Sequence, residues 1–343
     1  MGRHISRRAV VAGASALFGL AACGENARRR QVSLFGETMG TSYRVTLVAP
    51  PRHLDLGAFD VEIGSILGSI DERMSTYRGN SELSHFNRAD ASKWTPVSAD
   101  TMTVVRAGLE LGRHMSGAFD ITVGPAVDRW GFGPSGRGQT PSVAEQGALR
   151  RRIDYRSIEV SQERGAIRKT RANAAIDLSG IAKGFAVDRL AGYISSVGVE
   201  HYLVEVGGEF RVAGLSPDDG PWTLGIEQPF SEAIGIHCMA RLTGGALATS
   251  GDYRQWFERH GQRFSHIIDP RAGRPVLGDL ASVSVIAHTA MQADALSTAL
   301  MVLGPQDGWT CARREKIAAI FIRRGVDGFA GRATPEFERH LVG

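Results

Sequence analysis

Three short stretches carry residue types that could do chemistry together. In Ala293-Asp294-Ala295-Leu296-Ser297-Thr298 a carboxylate and a hydroxyl fall on one face of a helix's first turns, with small neighbours around them. Such a pair can offer two hard oxygens to Mg²⁺, which keeps waters and takes phosphate oxygens in its other positions. The same spacing suits a plainer arrangement, with Asp294 balancing the helix dipole and Thr298 packing. In Ala175-Ile176-Asp177-Leu178-Ser179-Gly180-Ile181-Ala182-Lys183-Gly184 a short strand ends in an acid, turns at Ser-Gly and enters a helix bearing Lys183. Free amides and the dipole at that helix start attract phosphate, and the ammonium adds a point charge. Ser265-His266-Ile267-Ile268-Asp269-Pro270 sets a histidine on a strand edge before a turn. There it can take a proton from a hydroxyl near neutral pH, or act as a hydrogen-bonded structural residue.

The elements that must position these residues are read from periodicity. Residues 41–48 alternate as a strand, and Phe59, Ile63, Ile66, Ile70 and Met74 recur at helical spacing. Ser81 and Ser98 can cap two further helices, and 141–153 is helical. Strands are expected at 158–160, 166–170, 176–178, 201–206, 210–213, 223–227, 236–242 and 283–287, with helices at 181–197, 290–303 and 305–314 and a closing strand at 317–322. Helices and strands are grouped rather than strictly alternating, which predicts an α+β fold with largely antiparallel sheet. Gly131 to Gly136 satisfies G-x-G-x-x-G, but it follows no strand and contains Pro134, so it reads as a loop. Walker A, H-E-x-x-H and G-x-S-x-G patterns are missing from the chain.

Among 343 residues, 43% are hydrophobic and 22% charged, which excludes bulk disorder and fibrous classes. Residues 1–22 read as an export signal: Arg3, Arg7 and Arg8 precede an apolar run too short to span a bilayer, and Ser6 to Val11 resembles a twin-arginine motif. Leu20-Ala21-Ala22-Cys23 looks like a lipobox, with Cys23 as a lipid anchor and 23–31 as a tether to a single domain at 32–343. The signal removes three arginines and no acid, so the net charge of +4 falls to +1 and the argument for nucleic acid goes with it. A periplasmic location follows, with membrane contact only through Cys23. Cys238 and Cys311 can be two thiols or a disulfide in that compartment.

The runs Glu37 to Tyr43, Met74 to Tyr77, Gly117 to Pro125, Trp130 to Gly133, Asp177 to Gly184, Val206 to Glu209, Thr249 to Tyr253, His266 to Pro270 and Ala293 to Thr298 come in that order. Together they resemble the ApbE family, the FAD:protein FMN transferases, along almost the whole mature length. The resemblance implies FAD as substrate, Mg²⁺ as cofactor, and transfer of FMN to a Thr or Ser hydroxyl of another protein with release of AMP. It puts Met39, Tyr77, Ala118, Phe119, Asp120, Asp177, Lys183 and Ile268 against FAD. It gives the metal to the Gly180 carbonyl, Asp294 and Thr298, with Ser297 as an extra ligand, and makes His266 and Lys183 catalytic. Implied acceptors are flavoprotein subunits of membrane respiratory complexes: the sodium-pumping quinone reductase, its ferredoxin-linked relatives, or the nitrous oxide respiration system. An FAD pyrophosphatase and a flavin-carrying lipoprotein would use the same residues. Beside the resemblance, Tyr77, Phe119 and Trp130 also read as core, Gly207-Gly208 as a turn, and Glu209 as a solvated strand end.

Overall fold

A computed structural model of the chain describes residues 29–136, 140–229, 235–259 and 261–342. The expected export signal, the lipobox and Cys23 lie outside the described residues. Only the last part of the expected tether is described, and Gln31 already belongs to the first strand.

Eight strands stand side by side in chain order: β1 (Gln31–Thr38), β2 (Thr41–Val48), β3 (His201–Val206), β4 (Glu209–Ala213), β5 (Gly244–Gly251), β6 (Leu280–Ala287), β7 (Ala318–Gly325) and β8 (Gly328–Ala333). Every neighbouring pair is antiparallel. One face presents Val45, Leu47, Val204, Val206, Val283 and Val285 to the main core. The other buries Val212, Leu247, Ile320 and Ile322 under the hairpin Trp222–Glu227/Ile236–Leu242. Being covered on both sides, β6 reads as a continuous apolar and small-residue run rather than an alternating one.

Long insertions supply the helices on the main-core face. Between β2 and β3 come α1 (Leu56–Met74), α2 (Ala99–His114), a small three-stranded sheet and α3 (Ala182–Ser196). After β6 comes α4 (Ala290–Arg314), which packs on β5, β6 and α3. The α+β architecture is therefore as expected. The two helices predicted at 290–303 and 305–314 meet at Gly304, whose φ of 81° breaks the helix just before Pro305.

Three local expectations change. Residues 176–178 are extended but join no sheet, because the Asn87 side chain takes over the pairing: it donates to the Ile176 carbonyl (2.8 Å) and accepts from the Ile176 amide (2.7 Å). The strand at 317–322 does not close the fold, since β8 follows and forms the sheet edge. Strand β5 has no apolar run to announce it, being built from Gly, Ala, Thr and Ser around a single Leu247. Cys238 and Cys311 are free thiols, and Cys311 packs on Met115 with 3.7 Å between the sulfurs.

Candidate active site

One end of the sheet gathers the turns that shape the site. Met39 sits in the β1–β2 turn with φ 48°, and Gly207-Gly208 make the β3–β4 turn with φ of 62° and 100°. The Gly207 amide donates to the Ser42 carbonyl (3.0 Å), tying the two turns together. Helix α3 enters beside them, and Lys183 in its first turn forms an ion pair with Glu209, the first residue of β4.

Helix α4 meets α3 at very close range: a Cβ placed on Gly184 would lie 2.3 Å from the Ala290 carbonyl oxygen. That approach lets the Gly184 amide donate to Asp294 (3.0 Å), so the carboxylate of α4 reaches the first turn of α3. A Gly184→Ala substitution must push the helices apart. The expected cost is about 1–3 kcal/mol, read as a lower thermal midpoint. It should come with weaker binding at the site, because the same displacement removes the Gly184–Asp294 bond.

Beyond Asp294, the Thr298 hydroxyl shares a hydrogen bond with Ser250 on β5 (2.9 Å). Ser297, fully buried, donates to the Asp294 carbonyl (2.9 Å) and shares another bond with Ser250 (2.9 Å), so it braces the strand against the helix. The turn before α3 closes over this group: a Cβ on Gly180 would lie 3.3 Å from the Thr298 hydroxyl and 3.4 Å from the Phe119 ring. Gly180, Asp294, Ser297 and Thr298 are thus brought together as the sequence reading required.

Two buried carboxylates face one ammonium here. Burial raises Glu209, pushed up to about 7, and the nearby Asp294 adds to this while Lys183 pulls the other way. Burial likewise raises Asp294 against the pull of Lys183. Lys183 itself stays protonated: burial disfavours its charge, but Glu209 and Asp294 outweigh that. The second oxygen of Glu209 is buried with no hydrogen-bond partner. Two carboxylates buried beside one ammonium make a site where a cation could take the place of the proton that the raised Glu209 binds. Among the described residues no three His, Cys, Asp or Glu side chains gather as a metal site. A cation would therefore rest on one carboxylate with hydroxyl and carbonyl oxygens, a hard, incomplete donor set that fits Mg²⁺ with waters and phosphate oxygens.

Glu209 corrects the reading of a solvated strand end. Its side chain retains 4% of its exposure, because Lys183 arrives from a helix far away in sequence. Glu209→Ala removes the ion-pair partner of that lysine and leaves it only the Asp294 charge, and since Lys183 keeps 30% exposure the loss should lie below the ~3–5 kcal/mol of a fully buried pair. Thermal unfolding checks this; an unchanged midpoint would show the pair to be neutral.

His266 lies just past the strand Gln262–Ser265. Its Nδ1 is 3.2 Å from the Gln255 carbonyl, and Phe132 meets the ring edge-on with centroids 6.4 Å apart. Burial lowers its proton affinity, the Gln255 carbonyl opposes this, and the charges of Lys183 and Arg254 lower it further. The imidazole is therefore neutral and able to accept a proton. Arg254, which the sequence reading passed over, donates to the Gly207 carbonyl (2.8 Å) and to Glu227 (3.2 Å). Its position beside the glycine turn could not be seen without the fold.

A cavity of about 520 Å³ is lined by Thr76, Asn87, Asp128, Ser135 and Asp177 among others, and it reaches the cluster only through Asp177 and the turn that follows it. Asp177 accepts from the Ser179 amide (2.8 Å) and hydroxyl (2.5 Å), fixing the turn that presents Gly180. Tyr77 is 67% exposed and donates to the Phe132 carbonyl (2.7 Å), so it is not core, whereas Phe119 and Trp130 are. Ala118 is buried, and Asp120 spends its oxygens on the Thr122 amide and hydroxyl and on the Tyr155 amide. Ile268 packs with Trp130 and Phe264. The side chains of Asp120 and Ile268 are therefore committed to contacts within the fold. Gly131 to Gly136 follow a short helix, so the loop reading of the glycine pattern holds.

Fold and site together define an α+β protein in which a helix start, a lysine and a carboxylate-hydroxyl pair converge, a set of groups whose chemistry suits phosphate. The chain belongs to the ApbE family, whose model matches residues 39–321. A relative from Vibrio cholerae called FAD:protein FMN transferase is 41% identical over 336 residues, covering 98% of this chain and 99% of its own. The solved structure of the flavin transferase ApbE from Vibrio cholerae is 39% identical with a TM-score of 0.83, over 91% of this chain and all of that one. The apo flavinyl transferase ApbE from Pseudomonas stutzeri is 36% identical with a TM-score of 0.84, over 93% and 99%.

Proposed function

We propose that this protein is an FAD:protein FMN transferase acting on a Thr or Ser hydroxyl of a periplasm-facing flavoprotein. The observation that carries the reading is the meeting of Gly180, Lys183, Asp294 and Thr298 where α3 and α4 touch, near enough to His266 for the Lys183 charge to act on its ring, in a member of the ApbE family. Relatives called FAD:protein FMN transferase support it. The two buried carboxylates beside Lys183 support Mg²⁺ held by Asp294, Thr298 and the Gly180 carbonyl. When bound, the ion would neutralise phosphate charge that otherwise repels an incoming oxygen.

The chain's own groups then divide the work. The start of α3 and Lys183 hold the pyrophosphate, and the cavity by Thr76 and Asp177 takes the rest of the dinucleotide. The acceptor hydroxyl gives its proton to His266 and forms an O–P bond to the FMN-side phosphorus. The bond from that phosphorus to the bridging oxygen breaks, AMP leaves with the electron pair, and FMN remains as a phosphoester.

The export reading belongs to the same proposal: signal 1–22, anchor Cys23, an acceptor subunit of a sodium-pumping, ferredoxin-linked or nitrous oxide respiratory complex. Fractionation of the full chain beside Cys23→Ala should move the protein from membrane to soluble periplasm. Among the described residues no helix is long and apolar enough to cross a membrane.

Intact-mass spectrometry of a periplasmic acceptor domain, incubated with signal-free enzyme, FAD and Mg²⁺, tests the activity. A gain of one FMN is expected. Accumulation of FMN and AMP with unmodified acceptor would replace transferase by pyrophosphatase, and intact FAD would leave a carrier.

A further inference from the structure

Helix α4 begins where its first amides need partners from outside the helix. The Thr289 hydroxyl accepts from the Gln292 amide (3.2 Å), as a residue at this position commonly does. The next two donors are taken by a different element. Asp188, in the middle of α3, accepts from the Ala290 amide through one carboxylate oxygen and from the Met291 amide through the other, both at 2.9 Å. The same carboxylate forms an ion pair with Arg211 on β4. One side chain therefore joins the α3 backbone, the first turn of α4 and a strand of the main sheet.

What this joint controls follows from the neighbouring contacts. Lys183 lies on α3 ahead of Asp188, and Asp294 and Thr298 lie on α4 after the amides that Asp188 holds. Gly184 and Ala290 are in backbone contact between them, and the Gly184 amide reaches Asp294 across that contact. Without a second fixed point, α4 could slide or turn about the Gly184 contact, carrying Asp294 and Thr298 away from Gly180 and Lys183. Arg211 keeps the carboxylate aimed, being held in the sheet at a position paired with Ala246 of β5.

We infer that Asp188, held by Arg211, is a positioning residue that sets the register of α3 against α4 and thereby the spacing between the phosphate-binding and cation-binding halves of the site. This rests on the proposed reading of those two halves. It assigns Asp188 no contact with substrate.

The test measures binding rather than turnover, on the signal-free protein. Asp188→Ala and Asp188→Asn are compared with wild type for FAD binding by flavin fluorescence and for Mn²⁺ binding by electron paramagnetic resonance. Phe337→Leu, in the core on the far face of the sheet, serves as a variant that loses stability away from the site. Asp188→Ala should weaken Mn²⁺ binding by about 10–100-fold and FAD binding several-fold. Asp188→Asn, which keeps the shape and one acceptor oxygen and so should fold, is expected to show a smaller loss in the same direction. Phe337→Leu should bind both probes as wild type does, even at a matched loss in thermal midpoint. If both Asp188 variants bind FAD and Mn²⁺ like wild type, the positioning role is wrong and Asp188 is a helix cap only. Should wild type itself bind FAD but not Mn²⁺, the cation reading fails on its own, and the FAD arm still decides Asp188.

Discussion

Asp294→Asn is expected to fold as the wild type does and to lower FMN transfer by about 10²–10³-fold. Asparagine keeps an oxygen that can accept from the Gly184 amide, so the contact between α3 and α4 survives. What it loses is the charge, and the effect on stability should be small: in the protein without ligands the two buried carboxylates repel each other across Lys183. Removing one of them relieves that repulsion and lets Glu209 fall from its raised value toward the ordinary carboxylate range. A stability defect cannot then explain lost transfer. Acceptor mass spectrometry beside a thermal melt separates the two, and near-normal transfer by a well-folded Asp294→Asn would remove the cation from the mechanism. Asp294→Ala should transfer as poorly but melt lower, because it leaves the buried Gly184 amide without an acceptor, at about 1–3 kcal/mol.

The parts of this site that could be read in the sequence are those whose geometry is local. Asp294 and Thr298 share a face of one helix, and Gly180 and Lys183 share one turn and helix start, so period and turn chemistry place them. Glu209 illustrates the opposite case. A glutamate after Gly-Gly at a strand start has no local mark of burial, and only the arrival of Lys183 from α3 makes it an interior ion pair. Ser250 was hidden in the same way, because β5 has a composition that suits a loop and becomes a strand through pairing with β4 and β6 on either side. Residues 176–178 failed in the other direction: their apolar pattern suits a strand, but the Asn87 amide fills the ladder positions that a neighbouring strand would have taken. The order of the sheet was also beyond local reading, since the insertion between β2 and β3 separates two strands that lie side by side.

His266→Ala is expected to keep FAD binding and lose transfer by about 10²–10⁴-fold, the range for a general base. Burial, Lys183 and Arg254 disfavour the charged ring and outweigh the Gln255 carbonyl and Asp252, which favour it. A neutral imidazole has one nitrogen free to accept, so it can take the acceptor hydroxyl's proton over most of the physiological range. The sign of the pH dependence follows: the base is disabled only when the pH falls through its lowered value, so the acid limb of kcat/KM should have its midpoint below that of an ordinary histidine. Stability moves the same way, since the unfolded chain binds this proton more readily and is favoured by acid. An orienting donor would behave differently, because it works in the protonated form and its activity would rise on acidification. His266→Gln separates the roles further: an amide can orient a hydroxyl but cannot take its proton. Transfer retained within about tenfold in His266→Gln, with an acid limb unchanged from wild type, would therefore assign the proton to another group, and Glu209, already raised toward neutrality beside Lys183, would be the next one to change.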